Sequence, residues 1–262
     1  MAVLTQKYRL DSAPVAPRTD AVASPSNPAR TSVHLPTLPD VLAGLPFLSH
    51  EVALLGVCED GVPLLLDLRN PSPGALLVIS AQPATSIMML NVIRESLQGA
   101  NAPFSLQMIR VTDALAVTAH PLERLVNPFE RELEQALLSL ADLADSRQHG
   151  RLRGPSILLV VERLEWILQA DQEAIWAFEH LLHYGPALKI WPLVATHPNS
   201  ETTLTRWLRR FGTLIWGADL SASLKEQFGV PENPLSQHLP HSRCFSLRSQ
   251  GQWLHLWLPE VA

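Results

Sequence analysis

The sequence predicts an α/β fold: a mainly parallel sheet flanked by helices, with a β-hairpin before it and a second β-hairpin near the end of the chain. Three patterns indicate this class: short continuous apolar runs, helical apolar spacing between them, and Asp-Gly and Gln-Gly turns. Continuous apolar runs are typical of strands buried on both faces of a parallel sheet. Strands that alternate with helices of these lengths form such sheets through helical crossovers.

The elements can be assigned in chain order. Residues 52–58 and 62–68 are two apolar runs around Asp60-Gly61, which predicts the first hairpin. Residues 75–79 (ALLVI) then form a buried strand, followed by a helix from about Thr85 to Leu97. The remaining predicted elements are strand 105–111, helix 128–147, strand 156–161, helix 171–184, strand 190–196, helix 200–210, strand 213–216 and the second hairpin, 243–247 with 253–258.

The chain divides into a predicted arm, residues 1–44, and one folded domain, residues 45–262. Residues 11 to about 40 are rich in Pro, Ala and Ser and lack a periodic apolar pattern, which predicts disorder. Such an arm serves either as a tether for another protein or as a passive extension. The 218 remaining residues suffice to bury one large core.

Composition limits the function classes. The net charge of −5 disfavours a broad nucleic-acid surface, although it leaves room for a local basic strip. Two cysteines, Cys58 and Cys244, are too few for a disulfide framework and lack metal-site spacing. The pair His180 and His183 has no third ligand, so no metal site is predicted. Because no apolar run reaches membrane-spanning length and the start lacks a signal-peptide pattern, we expect a cytoplasmic protein without membrane contact.

The turn after strand 75–79 is where an α/β fold of this type would bind phosphate, because helix amides converge there. Phosphate-binding loops read G-x-x-x-x-G-K-[ST], in which Lys neutralises the phosphates and the hydroxyl holds Mg²⁺. An ungapped alignment places Ser80 and Thr85 at the glycines, Ser86 at the lysine and Ile87 at the hydroxyl. Shifting this alignment by one residue restores only the hydroxyl, as Ser86, and leaves Thr85 at the lysine position. The chain has no lysine between Lys7 and Lys189.

The loop interior offers no substitute for that missing cation. Ser80, Gln82, Thr85 and Ser86 are polar but uncharged, and Pro83 removes one amide donor. These residues are predicted to be the remnant of a phosphate-binding loop.

A second acidic signature is also incomplete. In phosphate-transferring ATPases, a strand such as 156–161 ends in an acid that orders Mg²⁺, followed by an acid that positions the attacking water. Here Glu162 stands first and Arg163 second. A guanidinium cannot accept a proton, and Glu165 lies three residues after Glu162 rather than next to it. No catalytic residue is therefore expected.

Over about residues 50–260 the chain resembles the FtsK/HerA family of DNA-pumping P-loop ATPases. The hairpin 55–68 resembles the segment before the family's P-loop, residues 76–91 stand in place of the Walker A segment, and residues 157–164 resemble Walker B. Residues 193–198 (LVATHP) are similar to the sensor strand. The resemblance implies a RecA/FtsK-like fold, with Thr196 and His197 at the sensor position and Glu162 and Arg163 in a degenerate Walker B motif.

The sequence leads to one main hypothesis and to alternatives. The first is a catalytically inactive FtsK/HerA-like protein that acts as a structural or regulatory subunit, without cofactor, through an active ATPase, another protein or its own copies. The alternative is a divergent DNA-dependent ATPase or translocase that binds ATP and Mg²⁺, with Arg206, Arg209 or Arg210 as candidate residues acting in trans. A DNA-binding module without hydrolysis, and an unrelated α/β protein in which these motifs are an ordinary turn and ion pair, also remain open.

Overall fold

A computed structural model describes residues 35–45, 51–98, 106–114, 123–198, 201–249 and 251–261. Within them, ten strands form a single sheet in the order β2-β1-β10-β9-β8-β3-β7-β6-β4-β5. The strands are β1 (Val52–Cys58), β2 (Pro63–Asp67), β3 (Leu76–Ile79), β4 (Leu106–Val111), β5 (Glu123–Val126), β6 (Ser156–Val161), β7 (Ile190–Thr196), β8 (Thr213–Gly217), β9 (Cys244–Ser249) and β10 (Gln252–Trp257).

Seven α-helices accompany the sheet in the described parts of the chain. Several begin at capping side chains; the Asp171 carboxylate, for example, accepts the Ala174 N–H at 2.7 Å. The helices are α1 (Leu38–Ala43), α2 (Pro83–Gln98), α3 (Arg131–Gln148), α4 (Leu164–Leu168), α5 (Gln172–Tyr184), α6 (Glu201–Leu208) and α7 (Ala222–Phe228).

The predicted α/β class and both hairpins are confirmed. Strands β5, β4, β6, β7, β3 and β8 run parallel to one another, and the remaining four continue the sheet from β8 by antiparallel pairing. The two hairpins meet where β1 pairs with β10, Val57 opposite Trp257. The sequence treated the hairpins as separate units; the structure joins them into one extension of the sheet.

The order in which the chain adds strands to the sheet reverses at β3, and the candidate site lies at this point. From β3 the chain crosses to β4 on one side, returns through β6 and β7, and then places β8 on the other side of β3. All four β3 residues are fully buried, as a continuous apolar run predicts. Loops that follow the carboxyl ends of strands at such a switch point border a crevice in which α/β proteins bind ligands.

Two apolar cores lie on opposite faces of the sheet. One contains α1 and α2 with the hairpin strands, and the other contains α3, α4, α5, α6 and α7. The split follows from the crossovers, because connections to opposite sides of β3 must cross opposite faces to stay right-handed.

Four elements were not predicted: α1, which lies in the predicted arm, and β5, α4 and α7. Strand β5 is short and only partly apolar, and α4 and α7 have five and seven residues. The parts of predicted strand 105–111 and helix 200–210 that fall on residues 105 and 200 lie outside the described residues.

The prediction of disorder throughout residues 1–44 is wrong for its last part. Thr37 caps α1 through a reciprocal pair with Asp40, and Leu38 and Val41 are buried in the core. The Leu38 N–H also donates to the Glu260 carbonyl at 2.7 Å. Two buried apolar side chains one turn apart anchor this short helix. The prediction missed the helix because it relied on the Pro-rich composition of the whole segment. Residues 1–34 lie outside the described residues.

None of the helices in the described parts of the chain combines the length and apolar character that a membrane crossing requires.

Candidate functional site

Four strand ends bring three predicted site residues and one further acid to one edge of the sheet. Ser80 follows β3, Glu162 follows β6, His197 follows β7, and Asp219 lies two residues beyond β8. Because parallel strands share one carboxyl edge, their following residues converge although they are far apart in sequence.

The turn between β3 and α2 is tight. Helix α2 begins at Pro83, two residues before the predicted start, so only Ser80, Ala81 and Gln82 connect strand and helix. The Gln82 carbonyl accepts the Ser80 hydroxyl at 2.9 Å and the Thr85 N–H at 3.1 Å. Proline is favoured in the first helical turn, which explains the early start.

A carboxylate from a distant part of the chain holds this turn. The Gln82 N–H donates to Asp219 Oδ2 at 3.1 Å, across 137 residues. Gly217 makes room for the contact, since a Cβ there would lie 2.5 Å from Asp219 Oδ1. Asp219 Oδ1 is buried and has no hydrogen-bond partner among the described residues. The sequence analysis missed Asp219; its only signal was an acid placed directly after a buried strand.

Ser86 and His197 form a buried pair beside the turn. Ser86 Oγ lies 2.8 Å from His197 Nε2 and 3.1 Å from the Pro83 carbonyl. One hydroxyl proton can satisfy only one of two acceptors, so a chain in which Nε2–H donates to Oγ and Oγ–H donates to Pro83 satisfies all three atoms. Ser86, which stands where the signature requires lysine, is then committed to internal hydrogen bonds.

Thr196 and Glu165 complete this side of the edge. The Thr196 hydroxyl donates to Glu165 Oε1 at 2.9 Å, and the His197 N–H reaches the same oxygen at 3.4 Å. Glu165 lies in α4 and therefore contacts the β7 end rather than extending the acidic signature of β6. Its other oxygen, Oε2, is buried without a hydrogen-bond partner among the described residues.

Glu162 is bound within a buried ionic cluster. Arg110 Nε and Nη2 donate to Glu162 Oε1 at 2.6 and 2.5 Å, and the Thr112 hydroxyl donates to Oε2 at 2.8 Å. Glu123, with a fully buried side chain, lies 3.9 Å from Arg110 Nη1 and 3.6 Å from Arg94 Nη1. Arg94 also pairs with the partly exposed Glu95 at 3.3 Å, so two guanidinium groups lie among two buried carboxylates and one at the surface. The sequence analysis identified Glu162 but none of its partners.

Arg163 turns away from Glu162. Its guanidinium carbon lies 5.5 Å from the centre of the Trp166 ring, a cation–π contact within one turn of α4. The structure therefore separates the two residues of the predicted acidic signature: Glu162 faces the ionic cluster and Arg163 covers an aromatic ring.

The predicted site residues fall into two groups. Ser80, Gln82, Ser86, Thr196 and His197 share one hydrogen-bonded network with Asp219 and Glu165, whose two halves are joined where the Ser80 N–H donates to the Thr196 carbonyl at 3.3 Å. The Thr85 side chain is buried beside it. Glu162 belongs to the separate Arg110 cluster. In the described part of the chain, no three His, Cys, Asp or Glu side chains lie close enough together to hold a metal ion.

Burial of His197 predicts a pH-dependent stability. Burial lowers the pKa of His197; Glu165 partly offsets this, while Arg163 lowers the pKa and Asp219 raises it. The unfolded chain then binds a proton below about pH 6.5 that the folded chain resists. Stability should fall as pH drops below this value, by at most about 1.4 kcal/mol per pH unit for one proton.

Urea unfolding at several pH values between 7.5 and 5 measures this slope. His197→Asn should flatten it. His255→Asn should also flatten it, because burial lowers the pKa of His255 despite the nearby Glu59. An unchanged slope in the His197 variant would contradict the assignment.

Solved structures share this fold. No family model matches the sequence, and no curated protein matches it either. A structure titled "ATPase" aligns with a TM-score of 0.66 at 12% identity, covering 87% of this chain and 96% of its own. The pCW3 conjugation coupling protein TcpA, solved with ATPgS, gives 0.64 at 14% identity, covering 86% and 69%. Thermomonospora curvata EccC, ATPases 2 and 3 with a signal sequence peptide, gives 0.63 at 12% identity, covering 87% and 43%.

These likenesses confirm the fold expected from the FtsK/HerA resemblance: the chain has the fold of FtsK/HerA-type P-loop ATPases. At such low identity they show the fold alone. The chain spans less than half the length of the EccC chain that it matches.

Proposed function

We propose that this chain is a non-hydrolysing protein of the FtsK/HerA ATPase fold that acts as a structural or regulatory subunit through protein–protein contacts. One observation carries the proposal: the Asp219 carboxylate accepts the Gln82 N–H in the turn where this fold would bind phosphate. A carboxylate there already satisfies the amide. It would also repel a triphosphate, because like charges in a partly buried site interact strongly.

The acid at the end of β6 supports the same conclusion. A carboxylate that orders Mg²⁺ must be free to accept hydrogen bonds from the ion's water shell. Both Glu162 oxygens are occupied by Arg110 and Thr112, and the side chain is 6% exposed. Releasing Glu162 would leave Arg110 without its closest countercharge.

The residues present do not fit ATP and Mg²⁺. Ser86 supplies no positive charge at the lysine position. Asp219 contacts the turn and Glu165 contacts the β7 end, and each has a second carboxylate oxygen that is buried without a hydrogen-bond partner among the described residues. We therefore derive no catalytic step through a nucleotide. In this proposal the chain has no cofactor, works in the cytoplasm, and binds an active ATPase of the same fold, another protein or a second copy of itself. The chain's net charge of −5 supports protein partners over nucleic acid.

Two measurements on the purified protein test the proposal. Calorimetric titration with Mg·ATP should give no binding heat at millimolar nucleotide, and phosphate release should equal that of buffer, with or without double-stranded DNA. Glu162→Gln serves as the control for contamination, because a contaminating ATPase would be unaffected by the substitution. DNA-stimulated phosphate release that Glu162→Gln abolishes would overturn the proposal in favour of a divergent DNA-dependent ATPase.

A further inference from the structure

Three helices lie side by side on one face of the sheet. The N–H of Asp171, the residue that caps the start of α5, donates to Glu134 Oε1 of α3 at 3.3 Å. Glu179 of α5 forms an ion pair at 2.7 Å with Arg210, which lies two residues after α6. Phe178 and Trp207 pack beneath, with ring centres 6.1 Å apart. Helix α5 is therefore flanked by α3 on one side and by α6 on the other.

The boundary between α3 and α5 is acidic and aromatic. Trp176 is 63% exposed and Tyr184 44% exposed, among the most exposed large apolar side chains in the described residues. Trp176 lies one turn before His180, whose Nε2 is 3.2 Å from Asp145 of α3, so Trp176 faces the same boundary. Asp142, one turn before Asp145, is also exposed. We name Asp142, Asp145, Trp176 and Tyr184 the acidic groove.

The other side of α5 is basic. Arg206 and Arg209 are exposed, whereas Arg210 turns inward to Glu179 and lies over the Trp207 ring at 5.1 Å. No ion pair joins Arg206 or Arg209 to an acid in the described parts of the chain. We name Arg206 and Arg209 the basic ridge.

We propose that this face forms a two-fold symmetric dimer in which the basic ridge of each copy enters the acidic groove of the other. The inference rests on the proposed function, since it names a second copy of the chain as the protein partner. Groove and ridge lie on one face, on opposite sides of α5, so a two-fold axis through that face forms both contacts at once. A contact made twice around a two-fold axis closes the assembly at two copies.

The chemistry of the two patches favours this occupant. Trp, Tyr and Arg dominate binding energy in protein interfaces, and exposed Trp rings attract guanidinium groups. Asp142 and Asp145 supply the countercharges that Arg206 and Arg209 lack within their own subunit.

Charge reversal with mutual rescue tests the pairing. In sedimentation velocity at low salt, the wild type should show a concentration-dependent monomer–dimer equilibrium, weakened on the order of tenfold by 0.5 M salt because ions screen exposed charges. Asp142→Arg with Asp145→Arg should abolish the dimer, and so should Arg206→Glu with Arg209→Glu. Mixing the two variants should restore it, because each groove then meets a ridge of opposite charge.

Truncation of the central ring gives a second readout. Trp176→Ala should raise the dimer dissociation constant on the order of 30-fold, as expected for a buried interface aromatic. The matched control reverses two exposed charges in the antiparallel part of the fold, Glu59→Arg in the turn after β1 with Arg248→Glu in β9, and should leave the equilibrium unchanged. Circular dichroism confirms that each variant remains folded.

A wild type that stays monomeric to its solubility limit overturns the proposal, and so does a dimer that persists in both reversed variants or is not restored on mixing. ATP hydrolysis by a protein that dimerises as described would instead overturn the proposed function and leave this interface standing.

Discussion

Arg110→Met should destabilise the protein by about 3–5 kcal/mol, the cost of breaking a buried ion pair by removing one partner. Arg110 supplies both close contacts to Glu162 Oε1 and is the second guanidinium beside Glu123. Methionine keeps most of the aliphatic volume, so the loss reports the charge. Without Arg110, Glu162 would keep only the Thr112 hydroxyl, and Glu123 only Arg94, which also pairs with Glu95. Urea unfolding measures the change in the free energy of unfolding, with the wild type and the variant compared at the same m-value.

A second substitution separates charge from packing. Combining Arg110→Met with Glu162→Gln removes one charge of each sign and leaves Arg94 to balance Glu123, so the double variant should lose less than the sum of the single variants. The surface pair of Arg69 and Asp67, 2.7 Å apart with side chains 53% and 38% exposed, is the matched control. Arg69→Met should cost no more than about 1 kcal/mol. A similarly small effect at Arg110 would show that the cluster does not hold Glu162 in place.

The parts of the fold that sequence predicts best are those with one dominant local signal. Strands β3, β6 and β7 are buried on both faces, so nearly every residue in them is apolar and the strand can be recognised from the sequence. Strand β5 lacks this signal. Its Glu123 is buried only because Arg94 and Arg110 approach from α2 and β4, which no local pattern reveals.

For the candidate site, the positions of the residues at the sheet edge were predictable from the sequence. Alignment with the phosphate-loop signature identified Ser80 and Ser86, the end of an apolar strand identified Glu162, and the family resemblance identified His197; all of them lie at the carboxyl edge of the sheet. What these side chains touch could not be predicted. The contact between Gln82 and Asp219 spans 137 residues, and the helix start moved by two residues because Pro83 initiates α2. Which charges meet is decided by packing across the sheet rather than by spacing along the chain.

Gly217→Ala should displace Asp219 from the turn and destabilise the protein by about 1.5–3 kcal/mol, the usual worth of a hydrogen bond to a charged group. The new Cβ would lie 2.5 Å from Asp219 Oδ1, the end of a side chain that can rotate away. Its next contact, the buried Ser80 Cβ at 3.2 Å, is tight and requires a shift of a few tenths of an ångström, so the larger displacement falls on the carboxylate. Urea unfolding gives the stability, and hydrogen exchange of the Gln82 N–H, which should accelerate, reports the bond directly.

A double-mutant cycle decides whether Asp219 is the cause. Asp219→Ala removes the same bond without adding a methyl group, so it should cost a similar amount and expose the same N–H. Gly217→Ala in the Asp219→Ala background should then cost almost nothing, since the displaced group is already gone. If the two losses instead add in full, the glycine acts independently of Asp219, through the packing of β8 against Ser80. If Asp219→Ala costs nothing and leaves exchange of the Gln82 N–H unchanged, Asp219 does not hold the turn closed, and the proposed reason for excluding phosphate falls with it.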